Sequence, residues 1–150
     1  MQRILVAVDE TAASRRAAAF VDGFFGGRDD VSIVALNVAR VPVDWMPPAP
    51  YGGIYAWPFT VGGERAAIDE ALAREEAEAR AVAVANAPHD ADVEVVVGET
   101  VEAIERAAED EGADLVVVGS NDKSFVQRLL GGSVSEELAR HRTRPVLIVP

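Results

Sequence analysis

The segment GSNDKSFVQRLLGGSVSE, residues 119–136, carries residue types that bind phosphate. It follows the apolar run LVVVG and leads into a stretch of helical character. A glycine at a strand end lets backbone N–H groups approach an anion, and the N-terminus of a following helix adds favourable partial charge. Gly119 takes the first role and Gly132-Ser133 the second, with Ser120, Lys123 and Arg128 between them. Asp122 opposes this chemistry, because two unit charges about 4 Å apart repel by roughly 4 kcal/mol at an effective dielectric of about 20. Lys123 and Arg128 offset part of that. The plainer alternative is a strand–turn–helix junction, in which Ser133 caps the last helix and Glu136, at capping-box spacing, reciprocates.

A second small, hydroxyl-bearing segment is DETAAS, residues 9–14. An acid at a strand end just before a helix serves as a ligand contact or as a cap, and Asp9 fits both. Arg15 and Arg16 are available to line the same crevice, although exposed helix arginines are ordinarily solvated. Other nucleotide motifs are missing. No G-x-G-x-x-G follows any strand, and no glycine precedes Lys123, so the Walker A pattern fails. An adenylating or pyrophosphatase enzyme on a related fold carries a Ser/Gly-rich loop after the first strand, and DETAAS lacks the glycines. The two histidines, His89 and His141, have no serine in a recognisable nucleophile turn and no metal-ligand spacing. His89 reads as an exposed loop residue and His141 as a helix C-terminal cap. The expectation is a protein without catalytic residues and without a metal site of its own.

Five short runs must position these residues: ILVAV (4–8), VSIVALNV (31–38), DVEVVV (92–97), DLVVVG (114–119) and PVLIV (145–149). Several are almost continuously apolar, as strands buried on both faces of a parallel sheet are. Helical patterns lie between them. The first spans Ala12 to Phe25 and stops at Gly26-Gly27. The second covers about Glu64 to Asn86, with Ile68, Leu72, Ala79 and Val82 near one face. A third runs from Val101 to Glu111, with Val101, Ile104 and Ala108 on one stripe and Thr100 as candidate N-cap. The fourth starts at Ser133. Alternating strands and helices imply right-handed crossovers and a doubly wound sheet, in which ligands collect at the carboxyl ends of the strands. Residues 39–63 stand apart: they hold five of the eight prolines, both tryptophans and both tyrosines. The plain reading is a surface flap whose aromatics pack on the sheet or on a partner.

The 150 residues, 49% of them hydrophobic, suffice for one domain with a core. Formal net charge is -11, from 25 acidic and 14 basic residues. That balance disfavours nucleic acid and anionic membrane surfaces as partners. The absence of cysteine excludes disulfides and thiolate chemistry. The amino terminus has no signal-peptide pattern and no run approaches a membrane span, so a soluble, cytoplasmic protein is expected.

Taken in order, these pieces resemble the universal stress protein family over nearly the whole chain, as one domain across 1–150. ILVAVD (4–9) with Ser14 resembles the family's opening strand and first turn, and GETVEAI (98–104) its third strand-to-helix junction. ADLVVVGS (113–120), RLLGGSVSEELARH (128–141) and RPVLIV (144–149) follow in the family's order. The resemblance implies an α/β fold of the adenine nucleotide alpha hydrolase-like type, an open, doubly wound, five-stranded parallel sheet of order 3-2-1-4-5. It also implies an adenine-nucleotide site with the phosphate pattern G-x2-G-x9-G-[ST]. On this chain the first glycine is Gly119, the final pair is Gly132-Ser133, and Asp122 stands at the middle glycine. By the same likeness Asp9 contacts the adenosine end, Asn37 and Val38 line the base, and Ala7, Thr11, Ser120, Lys123, Arg128 and Val134 complete the nucleotide-binding set. The implied ligand is ATP or a related adenine nucleotide, with Mg²⁺. The implied partner is a second copy of the chain, paired through the edge strand residues Val146, Leu147, Ile148 and Val149. Those expectations describe a nucleotide sensor acting as a homodimer. The alternative, for which Asp122 argues, is a nucleotide-free dimeric interaction module.

Overall fold

The computed structural model describes residues 1–39, 62–119 and 144–150. In chain order these form β1 (Gln2–Ala7), α1 (Ala12–Phe25), β2 (Val31–Ala39), α2 (Gly62–Asn86), β3 (Asp92–Val97), α3 (Thr100–Asp110), β4 (Leu115–Gly119) and β5 (Val146–Val149). The strands make one sheet of order β3-β2-β1-β4-β5, every neighbour parallel. The order 3-2-1-4-5 is therefore as expected, with β1 central and β5 at an edge.

Alternation along the strands explains why both faces are covered. Ile4 and Val6 of β1 point to one side with Ile33 and Ala35 of β2 and Val117 of β4, where Ala17, Ala18 and Val21 of α1 and Ala83 of α2 pack on them. Leu5, Leu36, Val116 and Val118 point to the other side, against Ile104, Ala107 and Ala108 of α3. Leu5 and Leu36 are fully buried, and burial of side chains of this size stabilises by about 1.5–3 kcal/mol each. The helices present mainly alanine to the sheet, so their backbones approach it closely.

Local signals set the helix ends. α1 is capped by Thr11, whose side chain accepts from Ser14 N. It ends at Gly26, whose N–H donates to Asp22 O, and Gly27 follows with φ +69°, a left-handed conformation that glycine adopts without strain. Several boundaries differ from the sequence reading, among them β1, which spans Gln2–Ala7 rather than 4–8. Thr100 is the first helical residue of α3 and makes no cap; Glu99 occupies the cap position without a side-chain bond, its carbonyl accepting from Ala103 N. α2 starts at Gly62 rather than near Glu64. The proposed flap is shortened at both ends: Ala39 is a buried residue of β2 paired with Val97, and residues 62–63 are helical. The remainder of that segment, the fourth helix with its Ser133 cap, and His141 lie outside the described residues.

Candidate functional site

The central strand ends where the winding reverses, and the space above it is bounded by β1, β2, β4, α2 and α3. The crevice there has a volume of about 500 Å³. Its floor is made by Ala7 and Val8 of the β1 end, Leu36 to Ala39 of β2, and Val118 and Gly119 of β4. Asp9, Glu10, Thr11 and Ser14 form the wall on the α1 side, while Glu75, Glu78, Ala79 and Val82 line it from α2 and Thr100 and Ile104 from α3.

The β1–α1 turn is held by a short chain of hydrogen bonds. Asp9 Oδ1 accepts from Thr11 N at 2.8 Å, Asp9 N donates to Ser14 Oγ at 2.7 Å, and Ser14 N donates to Thr11 Oγ1 at 3.2 Å. Ser14 is buried and Asp9 is exposed. Asp9 thus organises the turn as an acid that precedes the cap, while Thr11 is the cap itself.

Asn37 is the buried polar group of the floor, 8% exposed. Its Nδ2 donates to Val8 O at 2.6 Å, tying β2 to β1 just beyond their last paired residues. That bond uses one of the two amide N–H groups, and the side chain also carries an acceptor in Oδ1.

Gly119 lines the crevice, but packing gives the reason for its identity. A Cβ there would meet Ala13 C and O at 2.3 Å and Ser14 N at 2.7 Å. The first turn of α1 rests directly on the end of β4, and only a residue without a side chain permits it.

Of the residues expected from sequence, the crevice brings together Ala7, Asp9, Thr11, Asn37, Val38 and Gly119. Ser120, Asp122, Lys123, Arg128, Gly132, Ser133 and Val134 lie outside the described residues. Arg15 and Arg16 do not line the crevice: Arg15 Nη1 donates to Glu10 O and Arg16 Nε to Pro150 O. Sequence reading overlooked Glu75, Glu78 and Thr100. A signal for the first was present, since Ile68, Leu72, Glu75, Ala79 and Val82 follow 4-3-4-3 spacing and an acid interrupts an otherwise apolar stripe.

The fold and this crevice define an open doubly wound α/β protein with a crevice at the topological switch point, where ligands collect in sheets of this kind. The model of the universal stress protein family matches residues 1–150, and the chain belongs to that family. Universal stress protein MJ0577 of Methanocaldococcus jannaschii is 42% identical over 55 residues, 37% of this chain and 34% of that protein. The chain spans about a third of the length of the curated relatives it matches. The solved structure of MJ0577 shares the fold, at 22% identity and a TM-score of 0.64 over 99% of this chain and 94% of that one. A universal stress protein solved in complex with cAMP is 26% identical, with a TM-score of 0.52 over 99% of this chain and 96% of the other.

Among the described residues no helix is long and apolar enough to cross a membrane, and no group of three or more His, Cys, Asp or Glu side chains is placed to hold a metal ion.

Proposed function

We propose that this universal stress protein binds an adenine nucleotide in the crevice above β1, β2 and β4, and acts as a cytoplasmic sensor through a homodimer. The observation that carries the reading is the convergence of Ala7, Asp9, Thr11, Asn37, Val38 and Gly119, drawn from four separate elements or turns, on one crevice. Its volume of about 500 Å³ lies in the range of small-molecule sites. The cAMP complex of a relative 26% identical along nearly the whole chain supports an adenine ligand. Apolar surface from Val38 and Ile104 suits a flat base, and the Asn37 carbonyl oxygen suits an amine donor. ATP and its monophosphate are both candidates. The described residues supply no metal-ligand set, so Mg²⁺ would arrive on the ligand's own phosphates. Pairing of two copies through Val146, Leu147, Ile148 and Val149 is the dimer mode proposed, because β5 is an apolar edge strand without a charged residue.

Calorimetric titration with AMP and with ATP plus Mg²⁺, on the wild type and on Asp122→Gly, tests the reading. Saturable binding by the wild type is expected. Binding by the glycine variant alone would mean that Asp122 silences a surviving site and would favour the interaction module. Silence from both proteins would remove the nucleotide from the account.

A further inference from the structure

The two flanks of α1 are fixed by their bonds. On one, Asp22 Oδ2 lies 2.8 Å from His89 Nδ1. On the other, Arg16 Nε donates to Pro150 O at 2.7 Å, just past the end of β5. Phe20 and Phe24 follow Arg16 at intervals of four, so they continue along the flank beside β5. Their rings stack, with centroids 4.4 Å apart and planes inclined by 23°. Phe20 is half-buried, whereas Phe24 is 66% exposed. Gly23 lies between them on the same flank, and a Cβ added there would meet nothing within 4 Å. Glycine disfavours a helix interior relative to alanine, and no packing among the described residues calls for it. The neighbouring β5 is an edge strand without a charged residue, and its Leu147 and Val149 are only partly buried on the α1 face.

Resting on the β5 pairing proposed above, we propose that Phe20, Gly23 and Phe24 form the helical half of the same contact, with a second copy of this chain as the occupant. The levels agree. The midpoint of the two phenylalanines lies about 9 Å along α1 from Arg16, and a point about 9 Å back along β5 from Pro150 falls between Leu147 and Ile148, at the centre of the strand. A two-fold axis there, perpendicular to the sheet, pairs the edge strands antiparallel and keeps both copies of α1 on one face. Because α1 packs on β4 and β5, strands about 4.8 Å apart set the two helix axes roughly 10–14 Å apart. Helices in direct contact lie about 8–10 Å apart, so the interval is one that phenyl rings fill and small side chains do not. Each Phe24 crosses toward the other copy's Phe20 and Gly23, where glycine leaves room for the ring. Ala19, Phe20, Gly23 and Phe24 bring no charge to this flank in a chain of net charge -11, so two copies meet here without like-charge repulsion.

Sedimentation equilibrium on wild type, Phe24→Glu, Gly23→Leu and Val84→Glu tests the contact. Val84, 62% exposed on α2, is the control. Phe24→Glu and Gly23→Leu should each raise the dimer dissociation constant about tenfold or more, and Val84→Glu should leave it within about twofold. Leucine favours a helix over glycine, so Gly23→Leu, melted by circular dichroism below its dissociation constant, should be at least as stable as wild-type monomer. A destabilised Gly23→Leu monomer would assign that glycine to the fold of one chain and overturn its part in the contact. A wild-type dimer whose constant neither substitution moves overturns the helical contact and leaves the β5 pairing standing. A wild type that stays monomeric at every concentration removes the β5 pairing itself, and the helical contact with it.

Discussion

Gly119 shows how a residue's type was readable while its role was not. A glycine at a strand end suggested a place for backbone N–H groups to meet phosphate. The structure shows backbone of α1 packed where a side chain would be, with Ala13 O 2.3 Å from an added Cβ. Gly119→Ala should therefore lower stability by about 1–3 kcal/mol, as forced overpacking does, and this should appear in urea unfolding without any nucleotide present. Ser14 is a second case: its importance lies in a buried Oγ that accepts from Asp9 N, a partner five residues away that no spacing rule picks out. Ser14→Ala leaves that N–H without its acceptor and should cost about 1–3 kcal/mol. Glu94 on β3 was not legible at all. Its Oε2 is buried with no partner, and burial, followed by the charges of Glu111 and Asp110, raises its pKa above 4.5. The folded state then holds a proton that the unfolded chain has released, so stability falls as pH rises from 4.5 through the folded value. Glu94→Gln should remove that decline and be more stable than wild type at neutral pH, as read by denaturation across pH.

At the scale of elements, strands and α1 were legible because their signals are local: continuous β-branched runs, a hydroxyl cap and a Gly-Gly stop. Thr100 was misplaced because a threonine before a helix resembles a cap, yet the turn enters the helix one residue earlier at Glu99. Glu75 and Glu78 were not singled out from sequence, because the position of α2 over the strand ends is set by the sheet and not by the helix itself. The contact between α1 and the turn after α2 was equally hidden. His89 Nδ1 lies 2.8 Å from Asp22 Oδ2, and His89 N donates to Asp22 Oδ1 at 3.0 Å, so one carboxylate grips both groups across 67 residues of chain. The side-chain hydrogen bond with Asp22 raises the His89 pKa above 6.5, and the same bond lowers that of Asp22 below 3.8. The histidine contribution is complete below 6.5 and lost as pH rises through its folded value; the aspartate contribution is complete above 3.8 and lost as pH falls. The stability difference between wild type and His89→Ala should thus be largest between pH 3.8 and 6.5 and shrink above it, measured by urea unfolding at each pH.

For the whole molecule, the alternation of strand and helix and the family's ordered pieces specified the sheet order that the structure has. What the order brings together is a different matter. Residues 7–11, 37–38 and 119 meet only because β1 is central and flanked by β2 and β4; a central first strand anticipated the meeting of Asp9 and Gly119, whereas Ala7, Thr11, Asn37 and Val38 were expected from the family resemblance. The same order leaves β5 at an edge, half-buried on both faces, with Leu147 and Val149 packed toward α1 and Val146 and Ile148 toward α3. A homodimer through that edge should give a dimeric mass by light scattering at micromolar concentration, and a monomer throughout would remove the pairing.

The central claim, that this crevice holds an adenine nucleotide, is tested most directly by following backbone amide NMR shifts during titration with AMP. The account predicts saturable shifts concentrated at Asp9 to Ser14, Asn37 to Ala39, Glu75 to Val82 and Gly119. Shifts confined to other parts of the chain, or none at saturating AMP, would contradict it.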